Sequence, residues 1–203
     1  ATLNKQTDYK IAYSLDGDNP TNIKDWISSG DDILDLIASN KPNTGAFPVG
    51  RISEIIGLEA SSKSLICAYA LVDTQKKGGV AVFVDFEDAL SSDFLKILGI
   101  DTSKLLHVRP ETLEDGYTAV ESIIEHIRKT NPNRLVTIVF DSVSAAKPSA
   151  ELEDDFSKGG WNTDKAIINS KAMRKITQMI GEYKICLIFT NQLRQKLDAG
   201  LFG

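Results

Sequence analysis

Residues 55–65 read IIGLEASSKSL, and their interpretation decides the fold. An apolar strand end runs into Gly57, four residues intervene, and Lys63 and Ser64 stand where a phosphate-binding loop of the form GxxxxGK[ST] places its lysine and hydroxyl. Ser62 takes the place of the second glycine. In such a loop the backbone N–H groups of residues 59 to 64 wrap a phosphate at a helix N-terminus, where unpaired donors and the helix dipole both favour negative charge. The candidate cradle is therefore Gly57, Glu59, Ala60, Ser61, Ser62, Lys63, Ser64 and Leu65. Lys63 would reach the β- and γ-phosphates of ATP, and the Ser64 hydroxyl would ligate Mg2+. A serine at 62 adds one small group where backbone meets ligand, and its hydroxyl is a favoured helix cap. The competing reading is a plain serine-rich turn.

Downstream of this loop the chain alternates between short apolar runs and helical periodicity. Strands are expected at 50–57, 80–87, 104–108, 135–141 and 185–191, with helices at 63–76, 89–98, 114–130 and 164–182. Runs such as VAVFVDFE and LVTIVFD are continuously apolar rather than alternating, as strands covered on both faces are. The series predicts an α/β fold with a mostly parallel central sheet flanked by helices and joined by right-handed crossovers. Upstream, residues 1–30 are polar and turn-rich and read as an arm or oligomerisation element, with YKIAYSL (9–15) an isolated strand. SSGDDILDLIA (28–38) starts a helix capped by Ser29 or the aspartate pair, with Ile33, Leu34 and Ile37 on one face. Residues 40–50 read as a loop.

Composition bounds the function classes. The chain has 203 residues, 28 acidic against 23 basic side chains and a net charge of −5, so nucleic acid could be met only through a local basic patch. Cys67 and Cys186 both sit in apolar runs, where a free thiol behaves as a small buried hydrophobe; a reducing, cytoplasmic setting is expected. No run approaches the ~18 apolar residues of a membrane span, and the N-terminus lacks a signal-peptide core. His107 and His126 are isolated in sequence and carry no expected role. The chain starts at Ala1 and stops in the glycine-bearing DAGLFG, which reads as part of a longer protein.

Ligands of such sheets bind outside the carboxyl ends of the strands, so the polar residues there are the candidates: Gly57 onward, Asp85 and Glu87, Asp141 and Ser142, and Asn191 and Gln192. Asp141 ends an apolar strand, where a carboxylate can hold a magnesium water beside the loop, or cap the next helix. Glu87 lies just past another strand, placed to orient or deprotonate a water attacking the γ-phosphate; Asp85 reads as structural and Asp88 as the start of a helix. Gln192 ends the last strand and could sense the γ-phosphate by hydrogen bonding.

With these pieces in order the chain resembles the RecA family of recombinases over roughly residues 22–203. FPVGRISEIIGLEASSKS is similar to the family's strand and phosphate loop, and FVDFEDALSSDFLKILGID to its catalytic-glutamate segment. IVFDSVSAAKP is similar to the family's magnesium-binding strand, and AMRK with LIFTNQLRQK to its helix and sensor strand. The resemblance implies a RecA-like ATPase core over 31–203, ending at the second DNA-binding loop. It implies that Lys63, Ser64 and Asp141 bind ATP and Mg2+, that Glu87 activates water, that Gln192 couples nucleotide state to DNA, and that Phe94 stacks on adenine. A group of phage recombinases also lacks a glycine before the lysine, as this chain does.

DNA contact in this family comes from two loops. Residues 155–162 match the first, and Lys158, Gly159, Gly160, Trp161 and Arg174 are its candidates, Trp161 by stacking on a base. Between 156 and 175 five basic residues face one acid, Asp164, although four acids lie just before. Arg194 and Lys196 open the second loop. The resemblance implies single-stranded and homologous duplex DNA as partners, self-association into a helical filament, and DNA-dependent ATP hydrolysis driving strand exchange. The alternatives are a ring helicase or regulatory ATPase on the same core, and a non-hydrolysing, nucleotide-gated DNA-binding scaffold.

Overall fold

The computed structural model describes residues 22–88, 90–152 and 161–193. The expected strand at 9–15 lies outside them. Five parallel strands form the central sheet: β3 (Arg51–Gly57), β4 (Val80–Asp85), β5 (Leu105–Val108), β6 (Val136–Asp141) and β7 (Ile185–Gln192), in the spatial order β3-β7-β6-β4-β5. A two-stranded antiparallel ribbon, β1 (Trp26–Ile27) with β2 (Phe47–Pro48), stands before it. Thus part of the stretch expected as loop, 40–50, pairs as strand. Helices α1 (Asp32–Ser39), α2 (Lys63–Lys76), α3 (Ser92–Ile97), α4 (Leu113–Thr130), α5 (Ser149–Leu152) and α6 (Asn162–Tyr183) complete the described elements, with one 3-10 turn at Thr102–Lys104.

The two-residue period of a strand sorts the core into two halves. Ala81, Phe83, Val139, Cys186 and Ile188 face α2, packing on Cys67, Ala68 and Leu71. Val82, Val84, Ile138, Phe140, Leu187 and Phe189 face the other side, against Tyr117, Val120 and Ile124 of α4 and Ile176 and Ile180 of α6. Small residues let α2 lie close on the sheet: Ala70 and Cys67 are wholly buried. On the opposite side Gly116 does the same for α4, since a Cβ there would stand 2.4 Å from Phe86 Cζ. Because odd-numbered positions of β4 and β6 look toward α2, Asp85 and Asp141 at the strand tips do too. The even-numbered Thr190 and Gln192 of β7 share that face with Cys186 and Ile188.

Local chemistry sets the helix ends. Thr112 and Asp115 form a capping box at α4, each side chain accepting from the other's backbone N–H. The helix expected over 89–98 begins at Ser92 because the Ser91 hydroxyl takes the N–H of Phe94. Asp31 caps α1 through the N–H of Leu34. That helix is turned differently from what an apolar stripe suggests: Ile33 and Ile37 are 70% and 74% exposed, while Asp35 is buried. Asp35 is stable there because the Ser28 hydroxyl, the Ser29 hydroxyl and the Ser29 N–H donate to its carboxylate at 2.5, 2.6 and 2.8 Å.

Candidate active site

The carboxyl ends of β3, β6 and β7 meet at one cavity of about 370 Å3. Glu59, Ala60, Ser61, Ser62, Lys63, Ser64 and Leu65 line it from the loop between β3 and α2, with Glu87, Phe94, Asp141 and Gln192 opposite. Gly57 lies behind the loop, where a Cβ would meet the Ser61 hydroxyl at 2.5 Å. A larger cavity of about 570 Å3 opens beyond the tips of β4 and β5, lined by Asp85, Asp88 and Arg109 among others. It contains neither the loop nor its lysine, so the smaller cavity is the candidate site, and its size is that of ordinary ligand pockets.

The loop is built from backbone conformations that favour glycine. Ala60 and Ser62 hold φ of 57° and 63°. Ser62 stands at the N-cap of α2 but its hydroxyl caps no N–H, contrary to the capping role expected of it. The first turn of α2 thus has no side-chain cap from Ser62, and uncapped N–H groups at a helix start are the donors that anions use. Lys63 is largely buried; its amine donates to the carbonyl oxygens of Leu58 at 2.7 Å and Gly57 at 3.4 Å, folding back on its own loop.

Opposite the loop the carboxylates are held by hydroxyls. Asp141 accepts from Ser64 at 2.6 Å through Oδ2 and from the buried Thr190 through Oδ1. Glu87 accepts through Oε1 from Ser142 at 2.6 Å and from the Gln192 amide at 3.2 Å. Ser142 is itself 2.8 Å from the Ser144 hydroxyl. Buried Asp85 takes the N–H groups of Glu87 and Asp88 at 3.0 and 2.9 Å, which fixes the turn that carries Glu87. Its other oxygen is 3.2 Å from His107 Nε2, so His107, isolated in sequence, is a partner of the site's framework. Arg109 pairs with Asp88 at 2.5 Å; that hydrogen bond holds the Asp88 carboxyl below its ordinary range and raises Arg109. Phe94 is half exposed at the cavity wall.

Asp85, read as structural from its place at the strand tip, has a framework role here, and Ser142, one of the strand-tip candidates, holds Glu87; Thr190 is the site residue without an expected role. Thr190 carries a sequence signal, since it stands two positions before Gln192 on a strand and must share its face. Of the DNA-loop candidates, Trp161 precedes α6 and Arg174 lies exposed along it. Lys158, Gly159, Gly160, Arg194 and Lys196 lie outside the described residues. The basic stretch is partly committed within the fold: Lys175 pairs with Glu121, and the Lys165 amine donates to the Ser144 carbonyl at 2.9 Å.

Residues 3–203 match the family described as RecA N-terminal domain. The chain belongs to the RecA family. It is 38% identical over 168 residues to Protein RecA of Mycoplasma mycoides, covering 83% of this chain and 46% of that protein. Protein RecA of Leptospira biflexa is 38% identical over 159 residues, 78% of this chain and 39% of that protein. Protein RecA of Rippkaea orientalis is 40% identical over 171 residues, 84% of this chain and 46% of that protein. This RecA-family chain thus spans less than half the length of these relatives. No described helix is long and apolar enough to cross a membrane.

Proposed function

We propose that this chain is the ATP-hydrolysing core of a recombinase that assembles on single-stranded DNA and promotes its pairing with homologous duplex. One observation carries the reading: Ser64, Asp141, Glu87 and Gln192 come from four segments and meet across a single cavity floored by a phosphate-type loop. The triphosphate lies against the N–H groups of residues 59–64, with Lys63 leaving its loop carbonyls for the β- and γ-phosphate oxygens. Phe94 covers the adenine.

The oxygen donors Ser64 and Asp141 suit a hard cation held through one carboxylate and the phosphates, and no cluster of three or more metal-ligating side chains occurs among the described residues. Ser64 and Asp141 would hold Mg2+, which would supply charge neutralisation for the transferring phosphoryl group. Glu87, held by Ser142 and Gln192, orients the attacking water and takes its proton. Gln192, hydrogen-bonded to Glu87 and next to the start of the second DNA loop, links the γ-phosphate to DNA contact. The first DNA loop leads into α6 through Trp161. The arm over 1–30 joins neighbouring subunits in a filament.

The test is ATP turnover by the full chain with and without single-stranded DNA, alongside electron microscopy with an ATP analogue. DNA-stimulated turnover and helical filaments support the reading. Closed rings favour a helicase-type motor, and nucleotide binding without turnover favours a scaffold.

A further inference from the structure

The two oxygens of Asp141 have different partners, and the difference has a use. Ser64, on Oδ2, lines the cavity and is exposed; Thr190, on Oδ1, is wholly buried within the sheet. The Thr190 carbonyl also accepts the N–H of Val143 at 3.0 Å, tying the same residue to the chain just after Asp141. Thr190 and Gln192 share one face of β7, so one strand grips the carboxylate of β6 with its first side chain and the carboxylate after β4 with its second.

We propose that Thr190 is the positioning residue for Asp141: its hydroxyl occupies Oδ1 and so presents Oδ2 alone to the phosphate loop. This rests on the nucleotide-site reading above. A carboxylate turns freely about its Cβ–Cγ bond unless an oxygen is held, and a cation shared with phosphate oxygens demands near-ideal geometry. Ser64 cannot supply that hold, because its own oxygen is needed by the ligand. A valine at 190 would fill the same volume and suit a strand equally well. It would leave Oδ1 of a buried carboxylate without its donor. The hydroxyl, rather than the shape, is what this position contributes.

The experiment uses the full chain carrying Thr190→Val or Thr190→Ser, with binding of a fluorescent ADP analogue titrated against Mg2+. Thr190→Val should raise the half-saturating Mg2+ concentration about ten- to a hundredfold, the worth of one hydrogen bond to a charged group. Nucleotide affinity at saturating Mg2+ should stay within about twofold, and Thr190→Ser should restore the wild-type curve. Thermal unfolding checks that the variants fold; if valine is not tolerated, Thr190→Ala carries the same expectation. A wild-type Mg2+ curve in the hydroxyl-free variant, or a serine variant as impaired as valine, overturns the proposal. Absence of any Mg2+-dependent nucleotide binding in the unmutated chain overturns the nucleotide-site reading along with it, an outcome distinct from either of these.

Discussion

The Ser64 hydroxyl donates a 2.6 Å hydrogen bond to Asp141 Oδ2, joining residues 77 positions apart at the mouth of one cavity. Ser64 is exposed, so its hydroxyl could be satisfied by water instead, whereas Asp141 is buried. Their meeting follows from the parallel sheet, which lays the tips of β3 and β6 on the same side with β7 between them.

Ser62→Gly should stabilise the loop. At φ 63° a serine bears the left-handed penalty of roughly 1–2 kcal/mol, against which glycine's extra unfolded-state freedom sets about 0.5–1 kcal/mol. A net gain of up to about 1.5 kcal/mol is expected in denaturant unfolding, together with tighter nucleotide binding. Ser62→Val, β-branched in that region, should lose stability; equal midpoints for the two variants would contradict this.

Glu87→Gln retains an oxygen for the Ser142 hydroxyl to donate to, so the cavity should keep its shape. Binding of Mg2+-nucleotide should persist while turnover falls by about two to four orders of magnitude, the usual worth of a general base. Normal hydrolysis in this variant would remove Glu87 from that role.

Arg128 holds the ends of two helices together. Its guanidinium donates to the carbonyls of Tyr183 at 2.9 Å, Arg134 at 2.8 Å and Asn131 at 3.3 Å. Arg128→Ala leaves these acceptors without their donor and should cost about 1–3 kcal/mol by denaturant unfolding. Lysine, lacking the planar fork, should recover only part.

Burial pushes the Cys186 thiol up to about 12 and the Cys67 thiol well above its ordinary range, the charge of Asp141 adding to the latter. Both folded values lie above the unfolded one of about 8.5. The resulting stabilisation is therefore fully present below about pH 8.5 and lost as pH rises from there toward the folded values. Melting temperature should decline on that alkaline limb, and a thiol reagent at pH 8 should label neither cysteine until the chain unfolds.

How far the sequence could be read depended on what enforces each feature. β4, β6 and β7 were legible because strands covered on both faces are apolar throughout, and the polar residue ending each run marks its tip. β1 and β2, two residues each, are too short for any period to register. The sense of α1 was hidden because a periodic stripe says which residues share a face but not which way it turns; Asp35 points inward because Ser28 and Ser29 solvate it. Within the site, the strand-tip carboxylates and the loop lysine could be named from type and spacing. Ser142 could be named as a strand-tip candidate but not given its partner, and Thr190 shares the face of Gln192 yet reads by type as an ordinary residue of an apolar strand.

The central claim is that the loop around Lys63 grips a triphosphate even with serine at 62. Titration calorimetry of the full chain with ATP, with and without Mg2+, tests it most directly. Magnesium-dependent binding, weakened at least about tenfold in Lys63→Ala by loss of a charge-assisted contact, is the expected result. Equal binding by the alanine variant, or no heat of binding from the unmutated chain, would contradict it.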